Sequence, residues 1–455
     1  MDEKKNVKER KNKTQRIPAP AEQIKKTKVW RMVASIVGVV AIAAISFSVG
    51  LCVSWFSLDS RMRTLIEVKK KIDKYYYEEI SDERFYDALF GVINEELLDD
   101  YSGYMTPEEF AALTSDSDGN RTGVGLVISP TTTSGEDQML ILRVCGNSPA
   151  EEVGIKAGSY VIGFGATEDT LVLSESYDAF SAFLQDYGEG EQFFIRVQEN
   201  GVAKNVQLSR KAYVENYVFY RSKTSAYAFS TEVGCAPIES ENVLSCLDDD
   251  TAYIRIVQFT GNTTRAFANA MRIFKEEGKT NLVLDLRGNG GGYMTAAQSV
   301  ASYFCKTAKG ENPVMAIADY GDKTEKFYAN GNAYNSFFNE NSRIVVLADE
   351  GTASASECVI GAMLDYGTIG YEDICLTQTA DGVAKTFGKG IMQTTYFVNL
   401  VKRDAIKLTT AKILWPVSKT CIHGVGILST QGTKTVARDY TGETELINAI
   451  NILLG

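Results

Sequence analysis

Residues 32–56, from Met32 to Phe56, contain no charged side chain. At about 1.5 Å rise per residue, a helix of that length crosses the roughly 30 Å hydrocarbon core of a bilayer with some tilt. Beyond it the period of the apolar positions changes. Over 57–104, Leu65, Val68, Ile72 and Tyr76, and then Phe85, Ala88, Leu89, Val92 and Ile93, recur at helical spacing, with Ser81 as a candidate cap. This predicts an N-terminal helical segment of two helices. Over 105–210, short apolar runs between glycine turns predict a β-rich module. Its strands fall at 123–129, 139–144, 160–164 and 192–198, with a helix at 177–186 that sets Phe180, Phe183 and Leu184 on one face. Over 211–455, strands at 252–259, 281–285 and 343–349 alternate with helices at 265–276 (Phe267, Met271 and Phe274 inward) and 295–306. Alternation of that kind predicts an α/β layer architecture.

Charge orients the first helix. Lys25, Lys26, Lys28 and Arg31 precede the apolar run, and residues 1–31 hold eleven Lys/Arg against four Asp/Glu. The positive-inside rule makes 1–31 a cytoplasmic basic tail, 32–56 a transmembrane helix, and the rest extracytoplasmic. A cleaved signal peptide is the rival reading, disfavoured by the length of the apolar run and of the basic region before it. A net charge of −11 argues against nucleic acid as a partner. The single histidine, His423, excludes a multi-histidine metal site, and the cysteines show neither CxxC pairs nor zinc spacing. No metal site is therefore expected. Cys235 and Cys246 are the one candidate disulfide pair.

Three segments of the last region could carry chemistry. In Asp285-Leu-Arg-Gly-Asn-Gly-Gly-Gly292, a glycine cluster follows a buried strand. It fits neither a dinucleotide fingerprint, because Tyr293 stands where the third glycine is needed, nor a Walker loop. It is a tight turn or a source of backbone N–H groups for an oxyanion. In Gly351-Thr-Ala-Ser354-Ala-Ser356-Glu357, a serine stands at a strand-to-helix turn. It serves as a helix cap or as a nucleophile at the positive end of the helix dipole. In Thr386-Phe-Gly-Lys389-Gly-Ile-Met-Gln393, a lysine is held between two glycines. Its reference pKa is about 10.4, so burial must cost the ammonium about 4 kcal/mol before it is neutral near pH 7. Phe387, Ile391 and Met392 are the apolar groups expected to do this. Gln393 can hold the amine without adding a charge.

The segment Ser148–Gly158, SPAEEVGIKAG, resembles the signature of bacterial PDZ domains. That resemblance implies that a peptide tail adds as a strand, with its terminal carboxylate on backbone N–H groups. The matching positions are Gly123, Val124 and Gly125, with Leu126 and Ile128 as floor and the 177–186 helix as wall. DLRGNGGG, GTASASE, TFGKGIMQ and DAIKLTTAKILWPV, taken in this order, resemble the carboxyl-terminal processing proteases, the tail-specific Ser-Lys peptidases. This implies that 105–210 is a PDZ-like domain and 211–455 a protease domain with the α/β sandwich shared by Clp-type proteases and crotonases, and that peptide bonds are hydrolysed with no cofactor. The substrates implied are proteins with unstructured C-terminal tails, cut at the bacterial cell surface. Carried over by position, Ser354 is the nucleophile, Lys389 the base and Gln393 its orienting group. Ala355 and Gly291 are the implied oxyanion donors, with Gly290 next in line. Two other classes remain open, a tethered peptide binder with a degenerate core and a crotonase-like acyl enzyme. Ser354 and Lys389 stand farther apart than is usual in the family, so an insertion within 366–385 (including Asp373, Cys375 and Asp381) is expected as a surface loop or flap. Glu357 is expected to cap backbone rather than to catalyse, and His423 to be structural.

Overall fold

The computed structural model describes residues 21–454 other than 118–119, 134–135, 174–175, 230–233, 261, 309, 380–381, 400, 402 and 440–442. Residues 1–20 of the expected basic tail and Asp381 of the expected insertion lie outside the described residues. The chain divides into two units, Met1–Phe90 and Gly91–Gly455.

In the first unit one helix runs over Ala21–Ser57. Its stretch Trp30–Val49 is long and apolar enough to cross a membrane. A second helix, Ser60–Tyr75, starts where the Asp59 carboxylate accepts from the Arg61 N–H at 2.8 Å. A third spans Asp82–Val92. Lys69 ties these two together: its Nζ lies 2.9 Å from Asp73, 2.5 Å from Asp82 and 5.3 Å from the Phe85 ring centroid.

The second unit is built on an eight-stranded sheet. Its spatial order is Pro237–Glu239, Ala226–Phe229, Val218–Arg221, Thr251–Ile256, Asn281–Asp285, Ile344–Ala348, Ile374–Gln378, Lys434–Ala437. From Thr251–Ile256 onward the pairs are parallel. Buried parallel strands are apolar on both faces, and the sequence shows it. Leu282 and Leu284 join one core with Ile344, Val346 and Leu376, whereas Val283 joins the opposite core with Val345 and Leu347. The helices Thr263–Glu276, Met294–Ala301 and Ala355–Asp365 cover the first face. The second face is closed by Thr444–Leu454 through Leu446, Ala449, Ile450 and Leu453. In Thr263–Glu276 the buried Phe267, Ala270, Met271 and Phe274 follow the helical period, as expected. A smaller sheet lies beyond the helices, in the order Gly103–Met105, Asp404–Leu414, Val314–Asp319, Thr324–Tyr328, with Ile391–Asn399 also paired to Asp404–Leu414. The strand Gly103–Met105 straddles the expected boundary between the helical segment and the β-rich module; its partners, Ala405–Lys407, come from the far end of the chain.

Under the glycine loop, Arg287 bonds Asp285 and Glu445, both at 2.6 Å, and the Tyr253 hydroxyl donates to Asp285 at 2.6 Å. Burial alone would raise the Asp285 carboxyl. The Arg287 charge and its hydrogen bonds override it and hold the pKa down at about 2. The carboxyl is thus ionised, and the loop is fixed from below.

The β-rich module is a six-stranded sheet in the order Leu126–Thr133, Glu136–Val144, Tyr160–Gly165, Gln192–Glu199, Val202–Ser209, with Val172–Leu173 on Tyr160–Gly165. The helix Tyr177–Gln185 packs on it through Phe180. Chain leaves for this module and returns from it along a two-stranded ribbon, Asn120–Gly123 paired with Lys211–Val214. Within 366–385, Tyr371–Asp373 forms a 3-10 turn, and Ile374–Gln378 is a buried strand of the large sheet. Cys375, expected at the surface, lies in that strand and is buried with its apolar neighbours Ile374 and Leu376. Cys235, buried, and Cys246, exposed, are free thiols, not a disulfide.

Candidate active site

Strand Ile344–Ala348 ends at Asp349, whose carboxylate accepts from the N–H groups of Gly288 (2.7 Å) and Gly351 (3.0 Å). The turn that follows places Ser354 at φ 57°, ψ −114°, a left-handed conformation costly for a residue with a Cβ. Its neighbours Ala353 and Ala355 are small, and Gly291 backs onto it. A Cβ on Gly291, itself at φ +96°, would come within 2.8 Å of Ala353 O, Ala355 N and Ser354 Cβ. The turn therefore projects a half-buried serine hydroxyl at the start of Ala355–Asp365, a helix buried over its first nine residues. As the first residue of that helix, Ala355 has an N–H without an intrahelical acceptor.

Glu357 holds this turn. Its carboxylate accepts from Ser354 N (3.0 Å), Lys389 N (2.9 Å), Gly388 N (2.8 Å) and the Thr386 hydroxyl (2.5 Å). Thr386 Oγ1 in turn accepts from Ile427 N, so its proton points to Glu357. Burial pushes the Glu357 carboxyl up, and these donors pull against it. The expected capping role is thus met, and it reaches further than a cap, because one carboxylate joins the backbones of Ser354 and Lys389.

Ser354, Lys389, Gln393 and Gly291 line one cleft of about 570 Å³. Val257, Met294, Phe327, Ile391, Met392 and Ile413 give its walls an apolar part, and Arg143, Gln258 and Tyr293 line it as well. Lys389 is half-buried. Burial and then the Lys407 charge lower its pKa, while Asp99 pulls it up. Ile391 is buried as expected, but Phe387 is 47% exposed and contributes no cover. The cover comes instead from Tyr101, whose ring centroid lies 4.6 Å from Lys389 Nζ. Gln393 donates its amide to Thr409 Oγ1 at 3.2 Å. Among the described residues no hydrogen bond joins Lys389 to Ser354. Gly291 gives its N–H to Asn289 Oδ1 at 2.9 Å, while the exposed Gly290 has no such partner among the described residues. That i,i+2 bond is an Asx turn, for which Asn289 was a readable signal. His423 is exposed and does not line the cleft.

A second cavity, of about 450 Å³, lies in the β-rich module. Gly123, Val124, Gly125 and Leu126 line it opposite Ser181, Leu184 and Gln185 of the helix. Gly125 is required there: it sits at φ +82°, and a Cβ would fall 2.0 Å from Ser148 Cβ. Ile128 is not among the lining residues and packs on the module's core. Three arginines missed in the sequence, Arg121, Arg143 and Arg210, also line this cavity, and no carboxylate does among the described residues. Arg121 and Arg143 share the buried Glu215, and Arg143 lines the Ser354 cleft as well.

Residues 250–431 match peptidase family S41. A chloroplastic C-terminal processing peptidase of Tetradesmus obliquus is 30% identical over 364 residues, covering 78% of this chain and 69% of that protein. The chain belongs to peptidase family S41. A carboxyl-terminal-processing protease of Synechocystis sp. is 27% identical over 332 residues, 72% of this chain and 66% of its own length. A solved photosystem II D1 C-terminal processing protease aligns over 84% of this chain and 90% of that one, at 23% identity and a TM-score of 0.49. As an S41 peptidase the protein is a serine-type peptidase of the C-terminal processing kind, and its substrates are proteins. Relatives of this S41 chain include chloroplastic and cyanobacterial proteases, and its N-terminal apolar helix has the length of a signal or an anchor.

Proposed function

We propose that the protein is a membrane-anchored, extracytoplasmic endopeptidase that cuts proteins near their C-terminus, with a Ser354–Lys389 dyad and a PDZ-like module that captures the tail. The observation that carries this reading is the strained Ser354 sharing one cleft with a half-buried lysine of lowered pKa. Neutral Lys389 takes the Ser354 proton as the oxygen attacks the scissile carbonyl. The oxyanion settles on the Ala355 N–H and on the glycine loop, through Gly291 once Asn289 releases it, with Gly290 beside it. Collapse transfers the lysine's proton to the leaving amine. Water, deprotonated by the same lysine, then frees the acyl chain from Ser354. Gln393 steadies the amine through its amide oxygen, its nitrogen being held by Thr409.

Tail capture rests on the cavity at Gly123–Leu126. A carboxylate there would meet backbone N–H groups beside three guanidinium groups, of which Arg121 and Arg143 already share the buried Glu215, while no carboxylate lines the cavity itself among the described residues. The anchor reading rests on the apolar helix behind its basic flank, which sets the N-terminus in the cytoplasm of a bacterial cell and the peptidase outside.

A fluorophosphonate probe on the full-length protein, with the adduct mapped by mass spectrometry, tests the nucleophile. The adduct is expected on Ser354, at a rate that rises with pH through a midpoint below that of free lysine, because the base acts only when deprotonated. Labelling of another residue overturns the assignment. Capture is tested by competition. A peptide with a free C-terminal carboxylate should compete with a tailed substrate, and its amide should compete at least tenfold more weakly. Equal competition by the two would remove the carboxylate from the reading.

A further inference from the structure

Tyr101 lies 288 residues before Lys389 in the chain, ahead of the β-rich module, yet its ring is the group over the lysine ammonium. The placement is built rather than incidental. Gly103–Met105 pairs antiparallel with Ala405–Lys407. Asn94 closes both backbone groups of Tyr104, accepting from its N–H at 2.7 Å and donating to its carbonyl at 3.1 Å. Asp99 caps the turn, accepting from the Tyr101 N–H at 3.1 Å. Ser102 Oγ accepts from Thr409 N at 2.8 Å, and Thr409 Oγ1 accepts from Gln393. The same short segment thus touches the lysine through its ring and reaches the lysine's neighbour Gln393 through one threonine.

We propose that Tyr101 is a positioning residue for the general base, and that residues 99–105 belong to the catalytic centre. The inference rests on Lys389 being that base. An aromatic face attracts an ammonium and has little hold on a neutral amine. The ring therefore keeps the resting lysine protonated and turned toward itself, and also keeps water away. These two effects move the proton affinity in opposite directions, so they separate by substitution. Tyr101→Leu keeps the apolar cover and removes the ring's charge distribution. The ammonium then loses its partner, and the acid limb of the kcat/KM profile moves down by about half to one pH unit. Tyr101→Ala loses the ring as well but also admits water, and because desolvation is the largest influence on this ammonium its relief outweighs the lost ring and moves the same limb up. Tyr101→Phe keeps the ring and restores the wild-type profile, which also excludes the phenol as a proton carrier.

The test compares these three variants with wild type and Lys389→Ala, all as full-length protein. Because a variant can lose activity through misplacement, the pH dependence of Lys389 modification by a small amine-reactive reagent, mapped by mass spectrometry, is measured alongside. It should move in the same directions as the kinetic limb. Opposed shifts for leucine and alanine with rescue by phenylalanine support the proposal. Coincident profiles for all three, with Lys389→Ala inactive, overturn the role of Tyr101 and leave the dyad standing. An active Lys389→Ala overturns the dyad itself.

Discussion

Alanine at Ser354 or at Lys389 is expected to lower kcat/KM on a tailed protein substrate by about 10⁴-fold or more, and the double substitution to be no worse than either one. In the proposed mechanism the two groups act in one step, so losing the second costs nothing once the first is gone. Lys389→Arg is the more telling change. Arginine keeps the charge and much of the length but does not give up its proton in a protein, so it should be as inactive as alanine. An arginine variant with substantial turnover would mean that position 389 serves as a cation and not as a base. Single-turnover kinetics on purified full-length protein separate these cases from slow product release.

Glu357→Ala should have the next largest effect. Its carboxylate accepts four hydrogen bonds, three from backbone N–H groups and one from Thr386. Alanine leaves these donors buried and unpaired, at about 1–3 kcal/mol each if nothing replaces the acceptor. Water will replace part of it, so a fall of several degrees in melting temperature is expected. The kinetic loss should be larger, about 10²–10³-fold in kcat, because the Ser354 and Lys389 backbones, which carry the proposed dyad, lose their common tie. KM should stay close to wild type, since Glu357 does not line the cleft. A loss confined to KM, with kcat unchanged, would contradict the tie between the two segments. Glu357→Gln keeps one acceptor oxygen but turns an NH₂ toward donors, and should fall between alanine and wild type.

Local features were legible in the sequence to the extent that local physics decides them. The apolar period of Phe267, Met271 and Phe274 placed a helix, the run Asn281–Asp285 a buried strand, and the Ser354 and Lys389 segments two turns that the fold brings to one cleft. Groups that depend on distant pairing were not legible. Tyr101 reaches Lys389 only because Gly103–Met105 pairs with Ala405–Lys407. Arg121, Arg143 and Glu215 form a buried ion cluster whose members come from three strands or their ends, and each reads as an ordinary surface charge by itself. Nearness in sequence makes Phe387 a candidate for cover, but its neighbour Gly388, at φ +85°, turns the chain and the ring is exposed. The strain at Ser354 is likewise set by its surroundings, above all by the approach of Gly291.

The ribbon formed by Asn120–Gly123 and Lys211–Val214 gives the second unit an unusual connectivity. Chain pairs with the catalytic sheet at Gly103–Met105, departs for the β-rich module, and comes back to build the large sheet. The module is therefore a cassette spliced into the peptidase, with its two ends side by side, and not a bead strung in front of it. A cassette of this kind can be exchanged for another module without shifting the strands on either side. Trimming the chain from its front up to the ribbon would, by contrast, remove the Gly103–Met105 strand from the catalytic body.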